Sequence, residues 1–225
     1  MGENRVDAVE RALLILDAFQ EGRTSLSLAA LAQETGLYKS TILRLAGSLE
    51  RFGYLARDDR GVYHLGPSLW RLGSLYRRSF DLEEHIRPEL RRIVEATTET
   101  AAFYVREGAE RICLYRLNSP RSVRHHLEEG TRLPLDRGAG GRVLLAYDGC
   151  PGEPYEDIRR TGHYTSLGER DPEIAAVSVP VFDSAGRLRG ALSASALLGR
   201  FGPAARRGAI EALKESAARL RTSLL

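Results

Sequence analysis

No run of apolar residues in this chain approaches the roughly 20 that a membrane-spanning helix needs, so no such helix is expected. The first residues, MGENRVDAVERALLILDAF, mix acids among the apolar positions and lack the layout of a secretory signal; the expected location is cytoplasmic. Cysteine is scarce: Cys113 and Cys150 form no metal-type spacing and neither lies beside a histidine. Cys113, within RICLYRL, reads as a buried free thiol. No repeat or low-complexity segment interrupts the chain. Nucleophile elbows of the GxSxG type are missing. The glycine-rich run GAGGR lacks the GxGxxG spacing and the immediately preceding strand of a dinucleotide fingerprint. His125-His126 and Glu128-Glu129 lie close together, but neighbours on a strand point to opposite faces, and the group reads as a solvent-exposed cluster. No catalytic residue, metal site or cofactor is therefore expected.

The sequence does carry 225 residues, 43% of them hydrophobic and 28% charged, which suits a globular protein of one or two domains. The net charge of +3 and isoelectric point near 9.0 are only mildly basic and permit a nucleic-acid partner without requiring one. The placement of charge says more. From Tyr38 to Arg78 there are eight basic residues (Lys39, Arg44, Arg51, Arg57, Arg60, Arg71, Arg77 and Arg78) against three acids, Glu50, Asp58 and Asp59. A local excess of this kind is the footprint of a phosphate-binding face.

Val6, Val9, Leu13, Leu16 and Phe19 recur every three or four residues, the apolar stripe of an amphipathic helix ending near Gly22. Ser27 caps a second short helix, LAALAQET, with Leu28 and Leu31 one turn apart, and Gly36 closes it. A third helix runs to about Phe52 with a core face of Ile42, Leu45, Leu49 and Phe52. Ser40, Thr41, Arg44, Ser48 and Arg51 lie on its other face. GYLARDDRGVYHLGP follows, two short apolar runs around Asp58-Asp59-Arg60-Gly61, a β-hairpin signature. Three helices and a hairpin, with a tight turn between the second and third helices, describe a winged helix-turn-helix.

In such a module the second helix of the pair enters the major groove with its N-terminal residues against base edges. That assigns Tyr38, Lys39, Ser40 and Thr41 to DNA binding. Lys39 and the helix N-terminus favour phosphate, and Arg44, one turn further in, has the reach for a bidentate contact to guanine. Arg60, in the hairpin turn, joins them. For Ser40 a plain helix cap is an equal reading. Arg77 and Arg78 read either as phosphate contacts or as an exposed basic face.

Leu69 to Leu82 and DLEEHIRPELRRIVEATTET read as helices that link this module to the rest, with Pro88 near the start of the second. Beyond them the pattern changes. TAAFYVREG and ERICLYRLN read as neighbouring strands joined at Gly108, and RSVRHHLEEG as a third. GAGGRVLLAY opens a helix. AAVSVPVFD and RLRGALSASALL are strands joined by Asp183-Ser184-Ala185-Gly186, and PAARRGAIEALKESAARLRTSLL is a last helix. Roughly Thr100 to Leu225 is thus a mixed α/β domain with its own core.

The ordered set VERALLILDAF, LAALAQETGLYKSTILRLAGSLERFGYL, the hairpin, GTRLPLDRGAGGRVLLAY, SLGER and AVSVPVFDSAGRLRGALSAS resembles the IclR-type family of bacterial transcriptional regulators over nearly the whole chain. The resemblance implies an α+β protein: a winged helix-turn-helix at 6–68, then at 69–225 a linker helix and a GAF-like α/β effector-binding domain. It implies double-stranded operator DNA as partner, a homodimer or dimer of dimers, and no membrane. It further implies a small-molecule effector, an organic acid or aromatic compound, that modulates DNA binding. The implied effector pocket lies between the Asp136–Gly141 loop and the last strand, at Gly138, Ala139, Gly140, Ser193 and Ser195. Ser193 and Ser195 share one strand face, either as hydroxyls for a carboxylate or as small residues for close packing.

Three departures from the family pattern stand out. Family members commonly carry a small residue or proline where this chain has Tyr38, which implies a base preference of its own. The loop reads Arg137-Gly138-Ala139-Gly140-Gly141-Arg142, and its extra glycine is expected to loosen it. The stretch from Leu145 to Tyr164 is short, which implies a reduced pocket wall. Glu169 and Arg170 in SLGER stand either as a salt-bridged loop or as effector contacts. The alternative to an effector-responsive regulator is a ligand-independent dimeric DNA-binding protein with a degenerate effector domain.

Overall fold

The structure, a computed structural model, describes residues 6–20, 22–79 and 82–224, with residues 76–79 described by backbone alone. The side chains of Arg77 and Arg78 therefore lie outside the described residues. The chain is α+β and divides into two compact units, Met1–Phe80 and Asp81–Leu225.

In the first unit, helices α1 (Asp7–Asp17), α2 (Leu28–Thr35) and α3 (Lys39–Arg51) surround a core of Ile15, Leu31, Ile42, Leu45, Leu55 and Tyr63. Each fully buried aliphatic side chain of this kind contributes about 1.5–3 kcal/mol. Ser27 caps α2 by accepting from Ala30 N at 3.2 Å. Gly36 ends the helix at φ 68°, a left-handed turn that glycine adopts without strain. Strands β1 (Ser25–Leu26), β2 (Leu55–Arg57) and β3 (Tyr63–Leu65) form a small sheet in the order β1-β3-β2. The Asp58 carboxylate organises the β2–β3 turn, accepting from Arg60 N at 3.0 Å and Val62 N at 2.8 Å. Helix α4 (Pro67–Ser79) follows.

Two sequence expectations fail here. Val6, Val9 and Leu13 are exposed, because α1 is apolar on more than one face and this unit covers only the face of Ile15 and Ala18. Phe52 caps the C-terminus of α3 instead of continuing its core stripe, and is 68% exposed.

In the second unit, α5 (Leu82–Thr97) and α8 (Pro203–Ser223) cover one face of a six-stranded antiparallel sheet. The strands are β4 (Thr100–Glu107), β5 (Glu110–Leu117), β6 (Arg132–Pro134), β7 (Tyr164–Leu167), β8 (Ile174–Phe182) and β9 (Leu188–Leu197). Their order is β6-β5-β4-β9-β8-β7. Helices α6 (Ala139–Tyr147) and α7 (Tyr155–Thr161) cover the other face through Val143, Leu144 and Ile158. The period-two rule is visible along β9. Leu192, Ala194 and Ala196 enter the core under α5 and α8, which turns Ser193 and Ser195 to the α6 side.

RSVRHHLEEG is not a strand; the third strand of this edge is β6. The reason is local. Glu129 accepts from Arg116 N at 2.7 Å, so a carboxylate takes the β5 donor that a pairing strand would use, and Arg116 Nη2 holds the His125 carbonyl at 2.7 Å.

Candidate functional site

Helix α3 begins at Tyr38, whose extended backbone (φ −65°, ψ 141°) leads into Lys39. Tyr38 makes no side-chain cap and its ring is 85% exposed. No acid occupies the first turn, so nothing on the helix itself neutralises the positive end of its dipole. Lys39, Ser40 and Arg44 are exposed and Thr41 half-buried. Among the described residues, none of these four side chains has a hydrogen bond or ion pair within the protein. The cap reading of Ser40 therefore gains no support. Arg60 projects from the β2–β3 turn, exposed and without an ionic partner among the described residues. Elsewhere in the unit Arg11 pairs with Asp7, Arg23 with Glu34, and Arg57 lies over the Tyr63 ring at 5.2 Å, whereas Arg51 and Arg71 are exposed and, like Lys39 and Arg44, have no ionic partner among the described residues. Leu43, 43% exposed between Thr41 and Arg44, was missed by the sequence reading; it adds an apolar group suited to a thymine methyl.

The second unit holds a cleft between the start of α6 and the sheet. Gly138, Ala139, Gly140, Ser193 and Ser195 all line it, so the five residues expected there are brought together. As it stands the cleft has about 40 Å³ of free space, room for about three waters at the ~10–15 Å³ each requires. The lining also includes Tyr104, Arg111, His125 and Ser166, which the sequence reading did not assign to a pocket, and Arg170, which it left open between a salt-bridged loop and an effector contact.

Arg111 is the most telling. It lies on β5, in phase with buried Cys113, and is only 3% exposed. Its Nη1 donates to the carbonyls of Pro134 and of Arg137, the latter at 2.9 Å, and its guanidinium sits 5.4 Å from the Tyr104 ring centroid. Its Nε is buried with no partner. Burial lowers the Arg111 pKa, with Arg170 adding to the effect and Tyr104 opposing it, yet a guanidinium stays charged at neutral pH.

The glycines of the loop exist for this arginine. A Cβ on Gly141 would collide with Arg111 Nη1 and with the Leu135 carbonyl, and one on Gly138 would lie 3.1 Å from Arg111 Nη2. Gly138 also sits at φ 79°, ψ 152°, a region essentially restricted to glycine. The extra glycine does not loosen the segment as expected. Gly140 and Gly141 are buried in the first turn of α6, packed against Tyr104, Ser193 and Arg111.

The hydroxyls are polarised. Leu192 O can only accept, so Ser178 Oγ donates to it at 2.7 Å and Ser193 Oγ must donate to Ser178 Oγ at 2.9 Å. Towards the cleft Ser193 offers lone pairs, not a proton. Ser195 makes no such bond among the described residues and keeps its donor. Glu169 is tied up in the loop, accepting from Gly138 N at 3.1 Å, Arg142 Nε at 3.4 Å and the Tyr164 hydroxyl at 2.7 Å. Arg170, by contrast, bonds only to His125 among the described residues, Nη2 to Nε2 at 2.9 Å.

His125 is no part of an exposed cluster; it is half-buried and its pKa is pushed down to about 4, by burial first and then by Arg170 and Arg116, with Asp171 opposing. Neutral at pH 7, its Nε2 accepts from Arg170, which leaves the proton on Nδ1. The 3.5 Å approach of Arg116 Nη2 to Nδ1 is then donor against donor and no bond. Its neighbours differ. His126 pairs with Glu128 at 2.8 Å in solvent, and Glu129 holds Arg87 through two 3.1 Å bonds.

Residues 8–59 match the IclR helix-turn-helix domain, and residues 75–150 and 153–222 match the bacterial transcriptional regulator IclR C-terminal domain. Among curated proteins the chain is 29% identical, over 174 residues, to the HTH-type transcriptional regulator KipR of Bacillus subtilis, covering 76% of this chain and 68% of that one. It superposes on the IclR transcriptional regulator of Alicyclobacillus acidocaldarius with a TM-score of 0.81 at 27% identity, covering 96% and 98% of the two chains. It shares its fold with an IclR homologue of Microbacterium hydrocarbonoxydans solved with 4-hydroxybenzoate: TM-score 0.82, 24% identity, 97% and 99% coverage.

Proposed function

The chain belongs to the IclR family of DNA-binding transcriptional regulators, and from that premise we propose how its two units work. Lys39, Ser40, Thr41 and Arg44, with Tyr38 at the helix start and Arg60 on the wing, bind operator DNA. The observation that carries this reading is the start of α3, where four polar or basic side chains stand without a hydrogen-bond or ionic partner among the described residues. Such groups are free to meet phosphates and base edges. We place the DNA-binding domain at 6–68 and the linker and effector-binding domain at 69–225.

The cleft bordered by Gly138, Ala139, Gly140, Ser193 and Ser195 receives a small effector, an organic acid or aromatic compound. The homologue that holds 4-hydroxybenzoate supports an effector role for this fold. A ligand of that size exceeds the free space of the cleft, so its binding displaces lining side chains, and that displacement supplies a route from ligand to protein conformation. The effector biases the helices between 69 and 98, which set the spacing of two recognition helices in a homodimer or dimer of dimers. The protein acts in the cytoplasm, with the chromosome.

The test is binding of purified protein to the DNA upstream of its own gene and to scrambled DNA over a salt series. A preference of about 10³-fold or more is expected of a specific regulator. Equal, steeply salt-dependent binding to both would reduce the α3 face to phosphate attraction.

A further inference from the structure

We propose that residues 119–129 form a strap that couples the cleft to α5. A ligand that displaces His125 slackens the two clasps by which the strap holds α5, so occupancy of the cleft is passed around the sheet to the helix on its other face. The inference rests on the effector reading of the cleft and adds the element that carries its signal.

The strap joins β5 to β6 with no helix or strand of its own, and most of its side chains are exposed. A segment with so little buried contact is the part of a domain that moves at least cost. Its middle belongs to the cleft: His125 lines that space, and its Nε2 accepts from Arg170 Nη2 at 2.9 Å. Its two ends belong to α5, which packs on the opposite face of the sheet.

The first clasp is Glu129. Its carboxylate accepts two bonds of 3.1 Å from the Arg87 guanidinium, which also lies 5.2 Å from the Tyr115 ring centroid. The same carboxylate accepts from Arg116 N at 2.7 Å, while Arg116 Nη2 donates to the His125 carbonyl at 2.7 Å. His125 and this clasp therefore share one residue. Arg87 stands little more than one turn after Leu82, where α5 begins its unit and the chain from α4 enters.

The second clasp is Arg121. Its Nη2 donates to Thr98 Oγ1 at 2.8 Å, and its Nε lies 3.3 Å from the buried Glu99 carboxylate. Arg200 reinforces it, gripping Glu99 through two 2.8 Å bonds and donating to the Val123 carbonyl at 2.9 Å. Ser119 Oγ adds a bond to the Thr98 carbonyl at 2.7 Å.

An independent observation lies under this second clasp. Thr98, just past the end of α5, sits at φ 58°, and no other non-glycine among the described residues has a positive φ. A β-branched residue rarely adopts that conformation, and it persists only where its surroundings hold it. The groups that hold it are Ser119 and Arg121, both in the strap. Beside it is a cavity of about 290 Å³, bordered by Thr97, Glu99, Arg121, Arg200 and Phe201 among others. The turn that ends α5 thus has strain to release and room to move into. Both the cleft and α5 bias the same element, which is what physical coupling between two places requires.

Hydrogen exchange read by mass spectrometry on the full-length protein tests this without ligand or DNA. His125→Trp puts a ring too large for about 40 Å³ of free space at the middle of the strap, and so stands in for an occupied cleft. Arg170→Gln, which removes the partner of the His125 ring, is the second variant. Each is expected to speed exchange about tenfold at amides 86–90 and 95–99, the places the clasps hold, as loss of a hydrogen bond to a charged group would. Strand β8 and helix α8 should keep the protection of the parent. With both clasps cut by Arg121→Gln and Glu129→Gln, α5 exchanges fast from the outset, and adding His125→Trp changes it no further.

Parental exchange in α5 for both single variants overturns the proposal. So does an α5 response that survives at full size once the clasps are cut, since the coupling would then run through the sheet. A response shared equally by β8 and α8 would be general loss of stability and overturns it too. The readout needs neither effector nor operator, so failure here leaves the cleft and α3 readings standing. If instead the cleft takes no effector, the strap still responds to these substitutions but has no signal to carry.

Discussion

The proposed DNA contact turns on Arg44. It stands one turn into α3, exposed and without an ionic partner among the described residues, beside the half-exposed Leu43. Arg44→Ala should cost roughly 1–3 kcal/mol of operator binding and relax specificity at one base position. A binding series over single-base operator variants checks this; uniform weakening across the series would make Arg44 a phosphate contact. The exposure of the side chains at the start of α3 was legible in the sequence because a helix start after a tight turn fixes which side chains lead. Arg111 was not. A charged residue inside RICLYRL announces its inward direction only through its phase with Cys113, and the reason for it lies some thirty residues away, at Gly138 and Gly141. The run GAGGR was read as looseness because glycine was judged by what it lacks; in the folded protein the missing Cβ atoms are the room another side chain fills.

At the level of elements, helices and hairpins followed their local signals closely. Periodicity, the Ser27 cap, the Asp58–Gly61 turn and the Asp183–Gly186 turn each act within a few residues of where they are read. RSVRHHLEEG failed because its fate depends on β5, where Glu129 replaces a strand partner. That segment carries a pH response. Folded His125 titrates near 4, depressed mainly by burial and by the nearby Arg170 and Arg116, against about 6.5 in an unfolded chain. Between those values the unfolded chain takes up a proton that the folded one refuses, so stability falls as pH drops from about 6.5 towards 4. Above that window His125 is neutral in both states and contributes no slope. Thermal melts from pH 7.5 to 4.5 should show the decline, and His125→Gln should flatten part of it. An unchanged slope in the variant would assign the acid sensitivity to other groups.

For the whole molecule, the exposed side of α1 matters most. Val6, Val9, Leu13 and Leu14 are each about half exposed, and in the same unit α4 presents Trp70 at 75% along with Leu72 and Leu75. The sequence pattern had read Val6, Val9 and Leu13 as part of the apolar stripe of an amphipathic helix, and α1 indeed has more apolar surface than its own unit covers. Apolar groups displayed on this scale mark an interaction surface, and the proposed reading of two half-sites calls for a second copy of the chain to cover it. The double variant Val9→Glu, Leu13→Glu places two charges on that side while leaving Ile15, Ala18 and the rest of the core untouched. Sedimentation should then report a monomer where the parent is dimeric or larger. Operator affinity should fall steeply while binding to nonspecific DNA persists, because each recognition helix survives and only its partner is lost. If the variant keeps both its assembly state and its operator affinity, the α1 surface is not what joins the copies, and the α4 residues Trp70 and Leu75 become the side chains to charge next.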